Sequence, residues 1–164
     1  MAEPKHGLIG VTNVINEDPM KTRFRFEKLE VWQEARAINR TIYRLTRNFP
    51  NHEMFAMTSQ IRRASISVSS NIAEGSGRNS DKDFAHFLEQ AYGSLMETAS
   101  LFYLALDEDY VSEPELNPVF DDFEKTAKRI VSLNHTLKVN TSKTPFERKN
   151  PPALVSRPST LDQP

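Results

Sequence analysis

Apolar residues in the middle of the chain recur at steps of three and four. Leu29, Trp32, Ala35 (or Arg36), Ile38 (or Asn39), Ile42, Leu45 and Phe49 make one such series, which predicts a helix with a continuous apolar stripe. Phe49-Pro50-Asn51 ends it, because a residue before proline avoids helical angles. Asn51 is placed to cap a second helix, with Met54 as its third residue. Glu53 then falls in the first turn, where the helix dipole favours a carboxylate.

The segment from Gln60 to Arg78, QIRRASISVSSNIAEGSGR, supports two patterns. Serine alternates with isoleucine and valine, as in a half-buried strand. Yet Met54, Met57, Ile61, Ala64, Val68 and Ile72 also form a helical seam, with Phe55, Ser59, Arg62, Ile66 and Ala73 on a second, weaker face. A strand needs turn signals at its ends, and no glycine or proline occurs between Asn51 and Glu74. Serine costs only about half a kcal/mol against alanine in a helix, and its small size permits close helix contact. The helix is the better reading, with Gly75 as a left-handed C-cap and Gly77 loosening the turn beyond.

Ser80 and Asp83 form a capping-box variant that opens a third helix. Phe84, Phe87, Leu88, Ala91, Leu95, Thr98, Leu101 (or Phe102) and Ala105 carry it for about seven turns, until Asp107-Glu108-Asp109 breaks the pattern. Ser112 and Glu115 make a second capping box, followed by Val119, Phe123, Ala127, Ile130, Leu133 and Leu137. Pro118 lies inside this fourth helix, or Asn117 caps it with Pro118 at its first position. Four long helices on short turns predict an all-α, antiparallel up-down four-helix bundle over residues 27–138. Residues 1–26 show no sustained period and are expected to be a flexible arm, with Met20 as an alternative start. Residues 139–164 carry five prolines, and their polar composition predicts a disordered tail. Its KTPFERKNPPALVSRP segment has two readings, an extended Pro-rich docking segment or a plain unstructured end.

The 164 residues are 38% hydrophobic and 26% charged, with a net charge of −1. There is no cysteine, which excludes disulfides, thiolate metal sites and thiol catalysis. No apolar run approaches the roughly 18 residues of a membrane span, and the N-terminus lacks a signal-peptide pattern. A cytoplasmic location, with no membrane partner, is the expectation. Charge is uneven: Lys28–Arg78 has eight basic against four acidic residues, a balance of +4. From Asn79 to Lys138 the count is five against twelve, a balance of −7. Such asymmetry serves an anionic partner or a second copy of the chain.

The chemistry concentrates in arginine. Arg36, Arg40, Arg44 and Arg47 recur at +4, +4 and +3 on one helical face. That row is suited to track phosphates; the plainer alternatives are a solvated face or pairing with a neighbour's acids. Arg62 and Arg63 diverge by about 100°, and one of them is expected to reach a buried partner such as Glu74 or Glu97. The turn after Gly75 lacks the GxxxxGK[ST] pattern and a preceding strand, so it is not a phosphate loop. Arg78, with Ser76 and Ser80, offers at most a weak anion contact at a helix N-terminus. Asp83, His86 and Glu89 share one face, but a carboxylate-bridged metal site needs ligands from several helices. The serines lack a nucleophile elbow. No catalytic residue, metal or cofactor is expected. Phe102 and Tyr103, with Ile66, suggest an oligomer interface.

Three segments together carry a resemblance: LEVWQEARAINRTIYRLTRNFP, QIRRASISVSSNIAEGSGR and FAHFLEQAYGSLMETASLFYLA. Over about residues 26–138 they resemble the bacterial four-helix bundle proteins known as rRNA intervening-sequence proteins. These are related to the accessory variability proteins of diversity-generating retroelements. The resemblance implies a ring-shaped homopentamer and, in the accessory branch, binding to nucleic acid and a reverse transcriptase through a basic surface and pore. The matching positions are Arg62, Arg63, Asn71, Glu74, Gly75, Arg78, Gly93, Ser94 and Glu97, expected to define the fold before anything else. Two departures stand out. Many relatives have proline where this chain has Ser69, which implies a weaker kink in the second helix. Lys28–Lys138 also carries 13 basic against 16 acidic residues, unlike the strongly basic branch. The resulting expectation is a non-enzymatic, homo-oligomeric bundle that contacts RNA or DNA through the first helix. Its rival is a protein-interaction or assembly scaffold.

Overall fold

The structure, a computed structural model, describes residues 22–142. A 3-10 turn, Arg25–Lys28, leads into α1 (Glu30–Leu45), and a second, Asn51–Glu53, precedes α2 (Met57–Ser76). Next come α3 (Asp81–Asp107) and α4 (Glu113–Ser142). Among the described residues every regular element is helical. Each long helix packs on its chain neighbours and α1 closes onto α4, the order of an up-down four-helix bundle. Ile42, Ile61, Ile72, Leu88, Leu95, Phe102, Leu116 and Ile130 are fully buried, so the four predicted seams share one core.

The serine-rich segment is helical throughout α2. Its hydroxyls serve the seams. The Ser65 hydroxyl donates to Asn39 Oδ1, and Asn39 Nδ2 donates to Ser69 Oγ at 3.0 Å, which ties α1 to α2. Ser94 of α3 donates to Ser67 Oγ at 2.9 Å, and Asn71 Nδ2 reaches the same oxygen at 3.0 Å. These groups are thereby paired where the close approach strips them of water, whereas Thr58 Oγ1 of the same helix is buried without a hydrogen-bond partner among the described residues. Ser69 also donates to the Ile66 carbonyl at 3.0 Å, and α2 passes through this position without a break.

Several expectations are corrected. The first helix stops at Leu45, with Thr46 as its C-cap, although Phe49 still turns inward and is buried. Asn51 opens a 3-10 turn and does not cap the second helix; α2 begins six residues later, its Met57 N–H satisfied by Glu53 Oε2 at 3.1 Å. Met54 and Phe55 therefore lie in a loop, exposed. Gly75 is not a left-handed cap, since no described glycine has a positive φ. It is a buried residue inside α2. A Cβ there would lie 2.6 Å from Phe84 Cδ2 and 2.7 Å from Phe87 Cβ, so close approach to α3 is what demands glycine. Phe102 is fully buried and packs near Phe123, with ring centroids 6.3 Å apart, so it takes no part in an outer face. The N-terminus of α4 is also resolved. Ser112 N–H and Oγ both donate to Glu115 Oε2, at 3.0 and 2.6 Å, and Pro118 lies within the helix.

Two boundaries shift. Phe26, assigned to the arm, packs on Trp32 with centroids 4.7 Å apart, and α4 continues past residue 138 to Ser142. The rest of the arm and of the Pro-rich tail, including KTPFERKNPPALVSRP, falls outside the described residues apart from its margins.

Candidate nucleic-acid interface

Three sides of α1 have different chemistry. Toward α4, Glu34 meets Lys125 Nζ at 3.0 Å and Arg129 Nε at 3.0 Å, and Glu30 pairs with the same Arg129. Glu34, with Glu30 beside it, raises the Arg129 pKa further. The acids of α1 are thus spent on the cations of α4. Toward α2, Asn39 enters the serine network and Thr46 is buried. The third side is solvent-facing and carries Arg36, Arg40, Arg44 and, just beyond the helix, Arg47, all exposed. Together with Asn39 and Tyr43 they line one shallow groove.

None of these four arginines pairs with a carboxylate among the described residues. Arg36 lies over the Trp32 ring at 5.7 Å, and Arg44 donates to Thr41 Oγ1 at 3.1 Å. Both contacts hold the stem or one edge of the guanidinium and leave charge available to an anion.

Arg62 joins this row from α2. Its Nε donates to Thr46 Oγ1 at 2.8 Å and its guanidinium lies 4.9 Å from the Tyr43 ring centroid. Among the described residues neither Arg62 nor Arg63 has the expected acidic partner: Glu97 accepts from Gln60 Nε2 at 2.6 Å, and Glu74 pairs with Arg78. Arg63 leaves the row, donating to Gln60 Oε1 on the side toward α3. Arg78 sits at the other end of α2, over the Phe87 ring at 4.6 Å. Five of the seven candidate arginines therefore converge, and Arg63 and Arg78 do not.

The remaining motif positions lie along the α2–α3 seam. Asn71 and Ser94 share Ser67, Glu97 holds Gln60, and Gly75 meets Phe84 and Phe87. Gly93 differs, since a Cβ there would meet nothing within 4 Å among the described residues. Sequence reasoning missed Tyr43, which falls one residue off the apolar stripe, and Thr46, whose hydroxyl orients Arg62 across a helix boundary. It also placed Phe55 on a helix face, whereas the ring is 94% exposed in the loop before α2.

The other candidate sets stay dispersed. Asp83 accepts the Ser80 hydroxyl at 2.6 Å, and Glu89 pairs with Lys138 at 2.6 Å, which holds the Glu89 carboxyl below its ordinary range. His86 is 3.9 Å from Glu89. Among the described residues no group of three or more His, Asp or Glu is placed to share a metal ion. No described helix is long and apolar enough to cross a membrane.

The family model for the 23S rRNA-intervening sequence protein matches residues 27–132. Among solved structures, a protein of unknown function from the S23 ribosomal protein family of Bacteroides thetaiotaomicron aligns with a TM-score of 0.59 at 24% identity. The alignment covers 63% of this chain and 97% of that one, a likeness of fold. No curated protein matches the chain.

Proposed function

The chain belongs to the 23S rRNA-intervening sequence protein family, and from that premise we propose a non-enzymatic bundle that binds RNA or DNA through the outer face of α1. The supporting observation is the separation of charge on that helix. Glu30 and Glu34 are neutralised by α4, so the field outside α1 is set by Arg36, Arg40, Arg44 and Arg47, with Arg62 beside them. A polyanion placed there releases its counterions and loses no internal ion pair. In this reading the chain assembles as a ring-shaped homopentamer, so a weak contact is repeated five times and gains avidity. A protein partner of the reverse-transcriptase kind belongs to the same proposal, by the resemblance to the accessory branch.

The test is a polarisation titration with labelled RNA and DNA across salt. Affinity should fall steeply from about 50 to 200 mM salt, and Arg40→Glu with Arg44→Glu should abolish it. Undetectable binding by the unaltered chain at about 50 mM salt rejects the proposal.

A second reading, an assembly scaffold, is favoured by a different observation. Tyr92, Met96 and Tyr103 recur at +4 and +7 on α3 and are exposed. In that version the α1 arginines meet acids of an adjacent copy, and Arg40→Glu with Arg44→Glu lowers the oligomer mass in light scattering.

A further inference from the structure

We infer that the strand held by the α1 arginines is single-stranded, and that Phe55 stacks against one of its bases; this rests on the nucleic-acid reading above. The loop that carries Phe55 is fixed on both sides. Phe49 is buried before it and packs on Tyr110, with ring centroids 5.8 Å apart. The Tyr110 hydroxyl donates to Glu53 Oε1 at 3.3 Å, while Glu53 Oε2 accepts the Met57 N–H at 3.1 Å. Between these anchors the Phe55 ring is 94% exposed and meets no other aromatic ring among the described residues. The anchored turn leaves little backbone freedom to lose on binding.

Its position is at the end of the arginine row. Arg62 touches Tyr43 and Thr46 at the end of α1, and Arg47 and Phe55 both lie in the connection from α1 to α2. The ring therefore stands at the Arg47 end of the bundle. A cationic track ending at an open aromatic face is the arrangement that binds single strands: cations follow the phosphates, and a ring takes a base. A duplex offers the same phosphates, but its base faces are covered by stacking and cannot use Phe55.

The experiment uses the full chain with two labelled probes, an oligouridylate of about 12 nucleotides and an RNA duplex of the same length. The single strand should bind at least about tenfold more tightly. Phe55→Leu keeps an apolar side chain but removes the aromatic face, and should weaken single-strand binding by about 5- to 100-fold. Duplex binding and the salt slope should not change, and Phe55→Trp should restore affinity. If Phe55→Leu leaves single-strand affinity intact while Arg40→Glu with Arg44→Glu abolishes it, stacking is overturned and the arginine interface survives. If neither probe binds the unaltered chain, both proposals fall. A Phe55→Leu chain that binds normally but loses oligomer mass in light scattering assigns the ring to a protein contact and also overturns the inference.

Discussion

Gly75 and Gly93 sit on facing helices with opposite surroundings. At Gly75 the nearest atoms to an added methyl would be Phe84 Cδ2 and Phe87 Cβ, at 2.6 and 2.7 Å. Phe84 is buried and Cβ of Phe87 is fixed to its backbone, so neither can simply rotate aside. Gly75→Ala should therefore push α2 and α3 apart and cost about 1–3 kcal/mol, read from urea denaturation. At Gly93 an added Cβ would meet no neighbouring atom of the described residues within 4 Å, and glycine in a helix interior costs about 1 kcal/mol against alanine. Gly93→Ala should raise the stability of the isolated chain by up to that amount. No contact among the described residues accounts for glycine at this position.

At the scale of the helix, the ends decide much of the register. Ser80 Oγ accepts the Asp83 N–H at 3.1 Å, one of the first-turn donors of α3. Ser80→Ala should cost about 1 kcal/mol in the same denaturation assay. At the start of α4 the Ser112 hydroxyl, then its backbone N–H, hold the Glu115 carboxyl below its ordinary range. A lowered folded pKa stabilises the fold above the unfolded value, and that contribution is lost as pH falls through the folded value. Glu115→Gln should thus lower the melting temperature at pH 7, with the difference from the unaltered chain shrinking as pH falls through the lowered folded value. Both caps were legible in the sequence because a serine three residues ahead of an acid is a local pattern. The apolar seams were legible for a related reason: burial repeats at the period of the helix. Residues 46–56 were not, because 3-10 turns carry no such period. The site divides the same way. The α1 row shows as a spacing, but Arg62 joins it through Thr46 and Tyr43 of another helix, a contact no local pattern encodes.

For the whole molecule, the distribution of exposed apolar side chains bears on assembly. A closed cyclic ring is built head to tail, so each copy must present two different faces that fit each other. Tyr92, Met96 and Tyr103 form one candidate face on α3, and Tyr103, although stacked on Phe120 at 4.8 Å, remains 58% exposed. Ile66 on α2 is exposed as well. Polar substitutions at these positions remove little from the bundle's own core, so an assembly defect can be separated from unfolding. Five chains of 18.8 kDa give a ring of about 94 kDa. Met96→Glu with Tyr103→Glu should reduce the mass in light scattering to that of one chain while the helical circular dichroism persists. Its nucleic-acid affinity should fall as avidity is lost, with the per-chain salt dependence kept. The scaffold reading requires the arginine variants to produce the same loss of mass. A mass of one chain for the unaltered protein would remove the ring from both readings and leave the α1 face to act alone.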